Sequence, residues 1–392
     1  LNTKILSPEV QEFIKKNLKQ DIVQIILKGS PFENVTVQEL ANQIAAKQKS
    51  ERKLPTWFTS EKIFYPPKVS IEQSSSEITA KYKAGLVNGD ILVDVTGGFG
   101  VDSFYFSKRM NQVIHCDINA ELSEIVAYNL KELKVSNIET KAIDGIKYIE
   151  QISSKIDWIY IDPSRRDQQK NKVFFLKDCL PNVPLHIDLL FSKSNNIFIK
   201  TSPLLDITSA VGELTNTKEI HIVAVENEVK ELLFVLEKNY EEDILIKTIN
   251  FTKNNQQTFD FIFSEKVSIK EYSQPLKYLY EPNAAILKSG GFHNLCTEFK
   301  VHKLHEHTHL YTSNELIEFP GRKFEVKEVV PYNKKNSSKK LSGKKANISI
   351  RNFPKTVNQL KKDHKIQDGG DSYVFFTTLS NNQKVFILTE KV

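Results

Sequence analysis

The chain has 392 residues, with 54 Lys and Arg against 48 Asp and Glu, a net charge of +6 and 40% hydrophobic residues; such a length supports two or three domains. No apolar run nears the roughly 20 residues of a membrane span, and the start lacks the charged-then-apolar pattern of a signal peptide, so a cytoplasmic protein without membrane contact is expected. Three widely separated cysteines, Cys116, Cys179 and Cys296, argue against a disulfide framework or a C-x-x-C metal knuckle.

Residues 1–65 read as a helical region, because Val10, Phe13, Ile14, Ile22, Ile25 and Ile26 recur at near-helical spacing after a helix start at Ser7-Pro8-Glu9. Leu54-Pro-Thr-Trp57 and Tyr65-Pro66-Pro67 break that pattern and mark a connector. Ser70 to Lys83 follows as a polar turn feeding a helix, where a serine and Glu77 offer capping-box chemistry. Gln73 and Ser74 are the residues of this turn expected to reach a ligand.

Ile91 to Val95 is a short β-branched run leading into Thr96-Gly97-Gly98-Phe99-Gly100-Val101-Asp102, which predicts a strand, a tight glycine turn and a helix start. This is the geometry of a nucleotide-cofactor site. Phe99 stands where the second glycine of G-x-G-x-x-G belongs, and Asp102 would repel a pyrophosphate, so NAD and FAD are disfavoured and a cationic ligand is favoured. About 20 residues on, Val113 to Asp117 is a second candidate strand ending in an acid, the position that holds ribose hydroxyls. With Asp94 and Asp102 near an ammonium, Asp117 on the ribose and Asp144, in Ala142-Ile-Asp-Gly145, near an adenine amino group, the assembled ligand resembles S-adenosylmethionine.

Candidate strands over 91–96, 112–116, 138–142, 157–162 and 196–201, with a helix over 120–133, give an alternating α/β pattern. Beyond Lys218 the segments 218–225, 231–237, 244–251 and 258–264 are strand-like with little room for helices, and antiparallel strands closing the sheet are expected. The fourth strand ends in Asp162-Pro163-Ser164-Arg165-Arg166 at the carboxyl edge, where ligands of such sheets bind. This segment is similar to the Asp/Asn-Pro-Pro-aromatic run of class I methyltransferases acting on amines: Asp162 and Pro163 fit, whereas Ser164 and Arg165 depart from it and leave the acceptor atom open. Asp162, Pro163 and Arg165 are the expected reaction centre, with Asp162 orienting a nucleophilic nitrogen. Arg166 and Lys200, the latter at the end of the fifth strand, are candidates for a nucleic-acid phosphate.

Between residues 322 and 365 fourteen basic residues face three acids, Glu325, Glu328 and Asp363. That concentration suits either a polyanion-docking module or a solvated lysine-rich loop. Lys339, Lys340, Lys344, Lys345 and Arg351 are its candidate phosphate contacts. The tail reads as a small α+β module: a strand over 347–351, a helix over 356–362 and a hairpin over 372–389. His302, His305, His307 and His309 show no zinc-motif spacing, and a strand displaying His307 and His309 on one face, without metal, is expected.

Glu72-Gln-Ser-Ser-Ser-Glu77, Asp94 to Asp102, Asp162 to Arg166, Tyr280-Glu-Pro-Asn-Ala-Ala285, Leu304 to Ser313, Arg351-Asn-Phe-Pro354 and Asp368-Gly-Gly-Asp371 together resemble the bacterial class I S-adenosylmethionine-dependent methyltransferases that carry a C-terminal THUMP-like domain. The resemblance implies a Rossmann-like fold with a seven-stranded, mostly parallel sheet. It places the serine motif, Asp94, Thr96, Gly97, Gly98, Gly100, Asp102, Asp117, Ile118, Asp144, Gly145 and Asp162 around the cofactor cleft, and it implies an RNA substrate such as tRNA or rRNA. The expected division is a helical region 1–65, a catalytic domain 66–270, a connecting domain 271–320 and a THUMP-like domain 321–392. Two other readings stay open: a methyltransferase for a protein or small metabolite, and a non-catalytic RNA-binding protein that keeps the cofactor fold. The oligomeric state is not legible.

Overall fold

A computed structural model describes residues 1–165, 175–265, 267 and 271–392. The chain divides into two units, the first comprising 1–218 and 231–242 and the second 219–230 and 243–392. The first unit opens with helices α1 (Pro8–Lys16), α2 (Ile22–Lys28) and α3 (Val37–Lys53). Thr36 and Glu39 form a reciprocal capping box at the start of α3, which satisfies amide donors that the first turn would leave open. Asn129 fastens this region to the rest of the unit by accepting from Phe64 N (2.9 Å) and donating to Phe64 O (2.8 Å).

The sheet of the first unit contains β1 (Gly89–Asp94), β2 (Met110–Asp117), β3 (Ile138–Ala142), β4 (Ile156–Ile161), β5 (Ser194–Thr201) and, beyond β6 (Thr217–Val225), β7 (Glu228–Glu237). Their order is β3-β2-β1-β4-β5-β7, with β7 antiparallel to β5 and the other pairs parallel. Leu92 and Val93, Val113 and Ile114, Ile159 to Ile161, and Ile197 to Ile199 are all buried, the continuous apolar runs that a parallel sheet covered on both faces requires. Helices α4 (Pro55–Thr59), α5 (Lys68–Gln73) and α6 (Glu77–Ala84) precede β1, and α7 (Val101–Phe106), α8 (Ala120–Glu132), α9 (Gly145–Gln151), α10 (Val183–Lys193) and α11 (Ile207–Glu213) follow β1, β2, β3, β4 and β5. Most of β6 falls in the second unit.

In that second unit β6 runs parallel to β8 (Leu245–Phe251), which pairs antiparallel with β9 (Gln256–Ile262). The expectation that every late strand is antiparallel is therefore corrected for β6 and β8. A second sheet has the order β11-β12-β10-β13-β16-β15-β14, built from β10 (Tyr278–Pro282), β11 (His302–His305), β12 (Thr308–Ser313), β13 (Gly321–Pro331), β14 (Asn347–Arg351), β15 (Ser372–Thr378) and β16 (Lys384–Lys391). It curls until its far strands meet: Thr308 Oγ1 donates to Thr378 O (2.9 Å), and Asn352 lies 3.3 Å from His305 Nδ1. Leu279, Leu304, Leu310, Phe324, Phe375 and Val385 fill one core of this sheet. Helices α12 (Ala284–Ser289) and α13 (Asn294–Phe299) follow β10. A separate core gathers Val330, Leu341, Leu360, Phe376 and Phe386, where α14 (Lys334–Leu341) and α15 (Val357–His364) pack. Among the described residues no helix is long and apolar enough to cross a membrane.

Candidate active site

The carboxyl ends of β1, β2, β4 and β5 lie side by side, and the loops leaving them converge. Val95 N donates to Tyr160 O (3.0 Å) and Gly97 N to Cys116 O (2.8 Å), so the glycine turn spans from β4 to β2. Gly98 and Gly100 have φ of 54° and 75°, backbone that side-chain-bearing residues adopt at a cost. At Gly97 the reason for glycine is space, since an added Cβ would lie 2.2 Å from His115 Nε2. Gly145 is equally confined, with an added Cβ 2.2 Å from Val95 O, and this draws the loop after β3 onto the end of β1.

Asp117 closes the turn. Its Oδ2 accepts from Gly98 N and its Oδ1 from Asn119 N, each at 2.8 Å. Each oxygen keeps a second lone pair for a hydroxyl. The neighbouring Ile118 side chain is 79% exposed, an apolar surface beside that acid. Asp144 caps α9 by accepting from Ile146 N (2.8 Å) through Oδ1. Asp162 stands on the other side of the turn, its N–H donating to Thr96 Oγ1 at 2.7 Å. Thus Thr96, Gly97, Gly98, Gly100, Asp117, Ile118, Asp144, Gly145, Asp162 and Pro163 are gathered at one edge.

Other expected residues have different surroundings. Asp94 is buried, holding Thr96 N (3.1 Å) and Ser103 Oγ (2.6 Å), and burial pushes its carboxyl up to about 7. Asp102 faces a lysine of the chain itself rather than open space: Lys83 Nζ lies 2.9 Å from Oδ1 and 3.1 Å from Oδ2. Ser75 Oγ (2.8 Å) and Tyr160 OH (2.7 Å) also donate to Asp102. Burial would raise this carboxyl, but Lys83 and then Lys200 outweigh it and hold it below the usual range. The contact with a ligand ammonium expected of Asp102 is therefore corrected. Gln73 is exposed at the end of α5, and Ser74 turns its hydroxyl back to Ile71 O (2.9 Å); the serine that reaches the buried acids is Ser75.

Lys200 is 8% exposed and pairs with Asp162, which corrects its reading as a phosphate contact. Its ammonium stays charged against burial because Asp162, Glu231 and Asp102 surround it. Burial raises the Asp162 carboxyl, with Lys200 opposing. Glu77 is not the third residue of a capping box: Ser76 caps α6, and Glu77 accepts from Thr56 N and Tyr105 OH, both at 2.5 Å. Arg166 and the Arg165 side chain lie outside the described residues.

Sequence reasoning missed Lys83, Tyr160 and Glu231. Lys83 reads as an ordinary helix lysine, and its 2.9 Å contact to Glu231 joins residues 148 apart. In the second unit, Lys339, Lys344 and Lys345 are exposed, and no acid pairs with them among the described residues. Lys340 is paired with Glu328 (2.7 Å). Arg351 and Arg322 both clasp the buried Glu281, which corrects Arg351 as a free phosphate contact. His307 lies in the turn between β11 and β12, not on a strand with His309, and His309 stacks on Phe292 with ring centroids 3.6 Å apart.

A parallel run β3-β2-β1-β4-β5 followed by the antiparallel β7, a glycine turn after the first strand, an acid ending the second and Asp-Pro after the fourth define a Rossmann-like methyltransferase fold. Residues 278–320 match the model of a ferredoxin-like domain, and residues 321–391 match a THUMP domain-like family. Over 100% of its length the chain is similar to the crystal structure of a candidate methyltransferase from Porphyromonas gingivalis, covering 98% of that chain at 29% identity and a TM-score of 0.87. Shorter overlaps join an rRNA methylase from Streptococcus thermophilus (16% identity, 41% of this chain and 94% of that one, TM-score 0.30) and TrmK from M. capricolum with S-adenosyl-homocysteine (14%, 45% and 70%, TM-score 0.32). No curated protein matches the sequence. The full-length likeness supports a methyltransferase whose C-terminal part is THUMP domain-like.

Proposed function

We propose that the protein is an S-adenosylmethionine-dependent methyltransferase that modifies RNA at a base nitrogen. The observation that carries this reading is the junction of glycine turn and Asp162-Pro163 edge through the Asp162 N–H to Thr96 Oγ1 bond. It sets an acidic side chain at the carboxyl edge, beside residues whose chemistry fits the cofactor: Asp117 for the ribose, Ile118 as an apolar surface for the adenine and Asp144 for its amino group. When bound, the cofactor supplies an electrophilic methyl group on a sulfonium with a good leaving group. Positioning therefore provides most of the rate, and no catalytic triad is needed. Asp162 would accept a hydrogen bond from the acceptor N–H, orient that nitrogen's lone pair and take up its proton once the methyl group has passed from sulfur to nitrogen. In this reading 66–270 is the catalytic domain, and the basic α14–α15 region docks the RNA backbone.

The test is methyl transfer from radiolabelled S-adenosylmethionine to in vitro transcribed, unmodified tRNA and rRNA. Wild type should label RNA, and Asp162→Ala should lose transfer while binding the cofactor in calorimetry. Near-normal turnover by Asp162→Ala would overturn the assigned centre, and no label in any RNA would overturn the RNA reading.

A further inference from the structure

Beneath the site described above lies a set of buried charges. Lys83 has no exposed surface. Its ammonium contacts Ser75 Oγ (2.6 Å), both Asp102 oxygens and Glu231 Oε2 (2.9 Å). Glu231 and Tyr160 are 3% and 1% exposed. Burying such ions carries a desolvation cost of several kcal/mol each, and well-packed apolar side chains of similar volume often hold a fold as well or better. A stabilising role alone is therefore a poor account of them.

We infer that Lys83 and Glu231 are positioning residues that set the charge of Asp162 from inside the protein. The inference rests on Asp162 being the acceptor-side carboxylate of the reading above. Charges alternate inward from the edge: Asp162 is negative, Lys200 positive, Asp102 and Glu231 negative, and Lys83 positive. Among the described residues, the ionisable groups whose charge bears on Asp162 are Lys200 on β5, Lys83 on α6, Asp102 on α7, Asp94 on β1 and Tyr160 on its own strand, with Glu231 on β7 acting through Lys200. Burial raises the Asp162 carboxyl, while Lys200 and then Lys83 lower it and Asp102 raises it. An amine or amide acceptor needs an ionised Asp162 to take its proton, and the inner lysine favours that state without touching the substrate.

Opposite charges at the inner end must then displace the acid limb of the pH–rate profile in opposite directions. With full-length protein and the same unmodified RNA, kcat/KM is followed from pH 5 to 9 for wild type, Lys83→Met, Glu231→Gln and the double variant. Lys83→Met should move the acid limb up by about one pH unit and Glu231→Gln down by about one, the effect of a unit charge at such range. The double variant should return near wild type. Should Lys83→Met alone not fold, Glu231→Gln and the double variant still carry the test, because each leaves less uncompensated buried charge. A uniform loss of rate with unmoved limbs, or shifts of one sign in both single variants, overturns the inference while leaving the methyltransferase reading intact. A wild type that labels no RNA overturns the RNA reading, and the inference falls with it.

Discussion

At Asp94, burial makes the protonated form the more comfortable one near pH 5, since its carboxyl is pushed from 3.8 up to about 7. A carboxyl raised in the folded state adds stability below its unfolded value that is lost as pH rises through the folded one. The wild type should thus lose up to about 4 kcal/mol from this group between pH 4 and pH 8. Asp94→Asn should be insensitive to that change, so urea melts at pH 5 and pH 8 should show the variant gaining relative to wild type at the higher pH. Asp117→Ala removes both the ribose acceptor and the clamp on Gly98 N, and calorimetry should find S-adenosylmethionine bound roughly 10- to 100-fold more weakly; unchanged affinity removes Asp117 from this role. Gly97→Ala forces His115 or the turn to move, and a loss of about 1–3 kcal/mol is expected in thermal melts. The turn and its acid were legible because strand, glycines and helix start are contiguous in sequence. Lys83 was not, since nothing local distinguishes a buried lysine from a surface one when its partner is on β7.

Among the elements, the second sheet depends on a charge clasp. Glu281 on β10 is held by Arg322, its direct cross-strand partner on the neighbouring β13, and by Arg351 on β14, which is distant in sheet order but brought close by the curl. Glu281→Ala should leave two guanidiniums without their acid. As these are about one-third exposed, the loss should be about 2 kcal/mol, below the roughly 3–5 kcal/mol of a fully buried pair. Urea denaturation of Glu281→Ala against Glu281→Gln checks it, the amide variant losing less. The strands of the first unit and the terminal hairpin were legible from β-branched runs and their punctuation. Helix α14 was not: Lys334 to Leu341 buries only Ser337 and Leu341, too little for an apolar stripe, and it begins because Asn333 caps Asn336 N (2.8 Å). The capping box expected of Glu77 failed for a related reason. Three consecutive serines offer three caps, and only the packing of Glu77 against Thr56 and Tyr105 selects Ser76.

For the whole molecule, the uneven charge is the feature that bears on partners. Among the described residues no acid pairs with the exposed Lys339, Lys344 and Lys345, while Lys340, Lys361 and Arg351 are paired. Replacing Lys339, Lys344 and Lys345 with alanine should weaken RNA binding about equally across sequences and reduce the slope of log K against log salt by about 2–3. Filter binding at several salt concentrations measures this, and an unchanged slope would remove α14 and its loop from the docking surface. Composition announced a basic region, but which lysines are free was decided by neighbours that sequence order does not reveal.

The Lys83–Glu231 contact also has a bearing on biosynthesis. As the chain leaves the ribosome, the helix bearing Lys83 emerges 148 residues before its partner. At roughly 5–20 residues per second, that interval lasts on the order of 7–30 s. During it the lysine and Asp102 are already made while Glu231 is not, so this pocket cannot be sealed in its final form. A nascent chain stalled before residue 231 should leave Lys83 open to amine-reactive labels, and one stalled well beyond it should shield that side chain.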